Sequence, residues 1–110
     1  MRVTPTRLGR IGTLICGENT NPLARYALMA EGEQVHIAAY SPRWPTHPAG
    51  DASGYDLAAA IRIRSGAHAF EAKCFNVVSS GFLSDAATDL ICIDSCGVGS
   101  YVELRLVIGP

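Results

Sequence analysis

Cys16 sits where a chain most readily builds nucleophilic chemistry. The apolar run Ile11 to Ile15 reads as a strand that ends on Cys16, and Gly17-Glu-Asn-Thr-Asn-Pro22 reads as a turn that opens a helix. A side chain on a tight strand-to-helix turn is pushed clear of the sheet, and the N–H groups of the next helix face whatever it attacks. The positive helix end also favours thiolate, the reactive form. Two readings are open here: an exposed nucleophile, or a buried and inert cysteine closing a strand, a common place for free cysteine. Glu18, two residues on, has the chemistry of a general base. An acidic residue in a first turn is also favoured by the helix dipole alone, and that structural role is the expectation.

The elements that would position these residues alternate. Asn19 to Asn21 supply capping side chains, and Pro22 suits a first helical turn, where its missing N–H is harmless. A first helix is expected from Pro22, with an apolar stripe of Leu23, Ala27, Leu28 and Ala30 to Glu31, ending at Gly32 as a left-handed C-terminal residue. Val35 to Tyr40 is a nearly continuous apolar run, the pattern of a strand buried on both faces. Three prolines and two glycines mark 41–54 as loop. A second helix is expected over Asp56 to Cys74, with Leu57, Ile61, Ser65, His68 and Ala72 on one face and Arg62, Arg64, Glu71 and Lys73 nearer solvent. Gly66 weakens that helix and predicts a close contact there. Phe75 to Leu83 reads as a third strand and Val102 to Ile108 as a final one. Strand-helix-strand-helix-strand order argues for an α/β fold with parallel pairing and right-handed crossovers.

Composition narrows the function classes. The 110 residues are 48% hydrophobic with a formal net charge of −1, which offers no electrostatic reason to expect nucleic acid or an anionic membrane as partner. No apolar run approaches the roughly 20 residues of a membrane span, and no apolar stretch follows the amino end as in a signal peptide, so the expected localisation is cytoplasmic. Cys92 and Cys96 lack a second Cys or His pair, and His36, His47 and His68 read as scattered, so neither a metal site nor a cofactor is expected. Cys74 and Cys92 read as ordinary buried thiols.

Two blocks carry a family likeness. Leu14-Ile-Cys16-Gly-Glu18-Asn-Thr-Asn-Pro22-Leu-Ala-Arg25, running on to Gly32-Glu33-Gln-Val-His36, resembles the nitrilase family of the carbon–nitrogen hydrolase superfamily around its catalytic cysteine. Tyr55 to Lys73, with Arg64-Ser-Gly-Ala-His68-Ala-Phe70-Glu-Ala-Lys73, resembles the helix block that follows. The likeness covers the chain as one partial domain, 1–110, and is clearest over 5–83.

The resemblance implies a strand-helix-strand-helix-strand portion of a four-layer α-β-β-α sandwich. It implies a Cys16 thiolate that attacks a nitrile or amide carbon, with the Gly17 backbone N–H at the developing oxyanion; the alternative for Gly17 is a turn residue chosen for positive φ. Glu18, Arg25, Glu33 and His36 match the motif as supporting residues. Tyr40 and Trp44 are candidates for the substrate pocket. Family members also use a Glu and a Lys upstream of the cysteine, a region that would precede Met1, and Lys73, the only lysine, lies in the downstream block. The chain is therefore expected to be a fragment, inactive alone, that associates with itself or with a full-length relative through Pro22–Glu31 and Asp56–Cys74. The alternative is a non-catalytic truncated subunit.

Overall fold

The computed structural model describes residues 1–41, 57–81, 84, 86 and 105–107. Its elements are β1 (Thr4–Thr6), β2 (Gly9–Ile15), a 3-10 turn (Cys16–Thr20), α1 (Pro22–Ala30), β3 (Val35–Tyr40), α2 (Leu57–Ala72), β4 (Phe75–Ser80) and β5 (Arg105–Val107). One sheet holds the strands in order β1-β2-β3-β4-β5. The central three are parallel, as alternation with helices predicts, and β1 and β5 flank them antiparallel. Among the described residues no helix is long and apolar enough to cross a membrane.

The β1–β2 hairpin is an addition to the expected order, and it extends the first strand back to Gly9. Thr6 closes it: its Oγ1 donates to the Gly9 carbonyl at 2.8 Å and accepts the Leu8 N–H at 3.1 Å. β4 stops at Ser80, short of the expected Leu83. Trp44, His47, Cys92 and Cys96 lie outside the described residues.

Both helices end in the same device. Gly32, at φ 70°, follows α1, and the N–H groups of Gly32 and Glu33 donate to the Met29 and Leu28 carbonyls at 2.8 and 3.2 Å. That is a Schellman turn, and Gly32 is the left-handed terminator the sequence predicts. α2 ends on Lys73 at φ 54°, with the Cys74 N–H donating to the Ala69 carbonyl at 3.2 Å. The sole lysine is thus a helix terminator, its Nζ 3.9 Å from the centre of the Phe70 ring.

Register defines two unlike sheet faces. Leu14, Ala38 and Val78 are in-register neighbours, as are Gly12, His36 and Asn76, and these rows lie under the helices. Leu14 packs with Ala24 and Leu28 of α1, while Ala38, Tyr40 and Val78 pack with Ile61 of α2. The other face carries the rows Ile11-Val35-Phe75 and Thr13-Ile37-Val77, and among the described residues no element covers it. Hence β3 alternates between buried and half-buried instead of being buried on both faces. Ile15 and Phe75 on that side are 64% and 53% exposed.

Two helix expectations also change. The stripe of α1 is Ala24 and Leu28, and Leu23 is exposed, because the helix phase starts from the Asn21 cap, whose Oδ1 accepts the Leu23 and Ala24 N–H groups. α2 buries Ser65, His68 and Ala69, with Arg64 half-buried. At Gly66 an added Cβ would meet nothing within 4 Å among the described residues, so no close contact accounts for that glycine.

Candidate active site

The turn that presents Cys16 is built from its own sequence. Cys16 adopts φ 47°, a left-handed conformation uncommon for a residue with a Cβ, and Gly17 does not. The special backbone position is the cysteine itself, so Gly17 is not there for positive φ. The element after Cys16 is a five-residue 3-10 turn, with α1 beginning only at Pro22, so the positive end at Cys16 is that of a short turn, not of the longer helix. Cys16 is half-buried and free. Among the described residues an added Cβ at Gly17 would meet nothing within 4 Å.

Three side chains brace this turn. Glu18 Oε2 accepts the Ile15 N–H at 2.8 Å, so its carboxylate is engaged as a local cap, the structural role expected. Thr20 Oγ1 donates to the Gly17 carbonyl at 2.6 Å. Asn19, read from sequence as a capping residue, is instead 3% exposed, and its Nδ2 donates to the Leu14 carbonyl at 3.1 Å and the Cys16 carbonyl at 3.3 Å.

Behind the turn, Glu33 and His36, two of the expected supporting residues, form a cluster with His68, which the sequence does not link to them. The Schellman turn after α1 delivers Glu33 under the helices, with its side chain 0% exposed. His36 Nδ1 donates to Glu33 Oε2 at 2.9 Å, and His68 Nε2, from α2, donates to Glu33 Oε1 at 2.5 Å. The two rings lie 4.1 Å apart between centroids. His36 Nε2 is 3.0 Å from Asn19 Oδ1. Because the Asn19 amide nitrogen faces two carbonyls, its oxygen faces His36, and His36 Nε2 must be the donor. Each oxygen of Glu33 is thus held by one imidazole, the hydrogen-bonded condition under which a buried carboxylate is tolerated. Burial raises the Glu33 carboxyl, but the hydrogen bonds and charges of His36 and His68 outweigh it and hold it below its ordinary 4.5.

Neighbouring residues make room for this cluster and tie it down. A Cβ on Gly12 would lie 2.1 Å from Glu33 Oε2, so only glycine fits there. Asn76 Nδ2 donates to the Ser65 carbonyl at 3.0 Å, fixing α2 to β4. Gln34 stitches the strand ends: its N–H donates to the Arg10 carbonyl at 2.8 Å and its Oε1 accepts the Arg10 N–H at 3.0 Å. The segment Gly32-Glu33-Gln34-Val35-His36 thus holds a helix terminator, a buried carboxylate, a strand stitch and a buried imidazole.

Glu33, His36 and His68 offer three ligand atoms within 4.8 Å of one another, a donor set that suits a divalent ion such as zinc. The lone pairs that would bind it are engaged in the hydrogen bonds above. A ligating histidine also normally donates its second N–H to an outer partner, and His68 Nδ1 has none among the described residues. The hydrogen-bonded cluster is the arrangement these residues fit.

The other predicted residues separate. Arg25 pairs with Glu71 across the helices at 3.5 Å, a geometric role. Tyr40 is 7% exposed, and burial pushes its phenol up, with Ser65 opposing, so it stays a hydroxyl. The structure does not join Arg25 or Tyr40 to the cluster by a hydrogen bond. Cys74 is 4% exposed, and burial, with the Glu33 charge beside it, pushes its thiol up to about 11.

A parallel α/β sheet that ends one strand on a left-handed cysteine is a framework found among the carbon-nitrogen hydrolases. A crystal structure of a carbon-nitrogen hydrolase from Helicobacter pylori G27 superposes with a TM-score of 0.63 over 96% of this chain and 35% of that one, at 13% identity, a likeness of fold. The carbon-nitrogen hydrolase family model matches residues 1–96, and the chain belongs to that family. Among sequence relatives, "Nitrilase 3" from an unknown prokaryotic organism is 39% identical over 90% of this chain and 28% of its own length. The nitrilase of Paraburkholderia phymatum is 37% identical over 86% of this chain and 25% of its own. A cyanide hydratase of Neurospora crassa is 52% identical over 44% of this chain and 12% of its own. The chain spans about a quarter of the length of the curated nitrilases it matches.

Proposed function

We propose that this chain carries the nucleophile segment of a nitrilase-type hydrolase, with Cys16 as the attacking thiolate and the Gly17 N–H as a donor to the developing negative charge. The observation that carries this reading is the left-handed Cys16 at the end of β2, braced by Glu18 and Asn19 within a sequence similar to nitrilases. Thiolate adds to the nitrile carbon, and protonation of nitrogen gives a thioimidate. Water adds to it, ammonia leaves, and a thioester remains; a second water releases the carboxylate and regenerates the thiol. If the tetrahedral adduct expels Cys16 instead of ammonia, the product is an amide. The cyanide hydratase relatives favour keeping that outcome in view.

Activity would require groups beyond those braced here. The family base and lysine have no counterpart in the cluster, since Lys73 is a helix terminator and Glu18 is engaged on Ile15. Loss of a general base costs ~10²–10⁴-fold and of an electrostatic stabiliser ~10²–10³-fold, so the 110 residues alone are expected to turn over nitriles at a negligible rate.

Thiol reactivity is the direct test. Cys16 is expected to alkylate with iodoacetamide at least ~100-fold faster than Cys74, which is buried and poorly ionised. Peptide mass mapping reads both rates, and equal rates would sink the nucleophile assignment. Ammonia and amide release from a nitrile panel, run beside Cys16→Ala, then reports the reaction itself.

The outer helix faces support association with a second copy or a longer relative. Leu23, Tyr26, Ile63 and Phe70 of α1 and α2 are 77%, 67%, 70% and 61% exposed. Light scattering at micromolar concentration should give more than a monomer mass. A clean monomer would remove this part of the proposal.

A further inference from the structure

We infer that Asn19 is a positioning residue for Cys16, and that the buried chain His36–Glu33–His68 exists at this site to hold the Asn19 amide in its working orientation. This rests on the reading of Cys16 as nucleophile.

A left-handed cysteine relaxes unless its flanking peptides are held. The Asn19 Nδ2 bonds to Leu14 O and Cys16 O bracket that residue from both sides, and Glu18 secures the Ile15 N–H between them. An asparagine amide can present either end, and flipped it would set its oxygen against two carbonyls. What forbids the flip is the His36 Nε2–H at its oxygen. His36 can only donate there while its ring is fixed at Nδ1 by Glu33, and Glu33 is in turn fixed by His68. The chain therefore runs from α2, through the turn after α1 and through β3, to the backbone of the nucleophile, and every side chain in it is buried. None of its members meets the thiol by a hydrogen bond, so its effect on reactivity acts through the conformation of residue 16.

The experiment measures the iodoacetamide rate of Cys16 from pH 6 to 10 by peptide mapping, in the wild-type chain and in Asn19→Asp, with Cys74 protection and the thermal melt as folding controls. Aspartate keeps the shape and turns both donors into acceptors. At equal folded fraction, the variant is expected to lose roughly tenfold or more in the plateau rate at high pH, where Cys16 is thiolate whatever the new charge does to its titration, as displacement of a reacting group does. A purely structural role would lower the melt and leave that plateau unmoved. A folded Asn19→Asp with the wild-type plateau rate overturns the inference while leaving the nucleophile assignment intact; a wild-type Cys16 no faster than Cys74 removes that assignment instead. If the variant does not fold, the wild-type chain decides by NMR. The Asn19 side-chain amide protons should exchange ~100-fold more slowly than those of exposed Asn21, and comparable exchange overturns the inference.

Discussion

Replacing Glu33 by alanine is expected to cost the chain a large share of its stability. Among the described residues Glu33 is the only partner of His68 Nε2, and it holds Nδ1 of His36, so its removal leaves buried ring nitrogens of both histidines without partners. Breaking a buried pair from one side costs about 3–5 kcal/mol, a large share of what a domain this size holds. Urea denaturation followed by circular dichroism measures it, and a loss under 1 kcal/mol would contradict the bracing role given to Glu33 above. The same residue sets the acid limb. Its carboxyl titrates below the ordinary 4.5 when folded, so the unfolded chain takes up its proton first as pH falls. The stabilisation is fully present above 4.5 and is lost as pH drops through the folded value. His36 of β3 and His68 of α2 face the carboxylate, and Cys74 stands within range of its charge. A Glu33→Gln chain that still folds should lack this acid-sensitive component.

Gly12→Ala should be nearly as damaging, although it adds one methyl group. Its Cβ would fall 2.1 Å from Glu33 Oε2 and 3.1 Å from Leu28 Cδ1. A flexible side chain would swing away, but this carboxylate is gripped by two histidines and sealed under α1. Overpacking a closed site costs about 1–3 kcal/mol, and here displacement of Glu33 adds part of the cluster's loss. Gly17→Ala is the control: among the described residues its Cβ meets nothing within 4 Å, and its φ is not positive, so its stability should stay within about 0.5 kcal/mol of wild type. Gly12 and Glu33 meet directly, so the effects of changing them should not add. In a Glu33→Ala background the Gly12 methyl occupies vacated space, and its penalty should shrink. Additive losses would mean that the clash is with something other than the carboxylate.

Much of the fold was legible because its signals are local. Asn21-Pro22 starts α1 by satisfying orphan N–H groups, Gly32 stops it by accepting positive φ, and the alternation of apolar strands with helices dictates parallel β2, β3 and β4. The place of Cys16 at a strand end follows from the same short-range pattern, as does the likeness to nitrilases. The β1 hairpin escaped because its strand is three residues long and wholly exposed, which leaves no hydrophobic period to detect.

The site behind the cysteine depended on the tertiary structure. Glu33 and His68 are 35 positions apart, and their meeting requires the Schellman turn, the β2-β3-β4 register that sets Gly12, His36 and Asn76 in one row, and the crossover that lays α2 over that row. Asn19 looked like a cap because Asx residues before Pro22 usually are; only the buried imidazole beneath it redirects its amide. The sequence by itself determined the elements, their order and the candidate nucleophile, since caps, turns and periodicity act within a few residues. Which polar groups are buried together, and hence what holds that nucleophile in its left-handed turn, was decided by strand register and helix packing, which act between residues far apart in the chain.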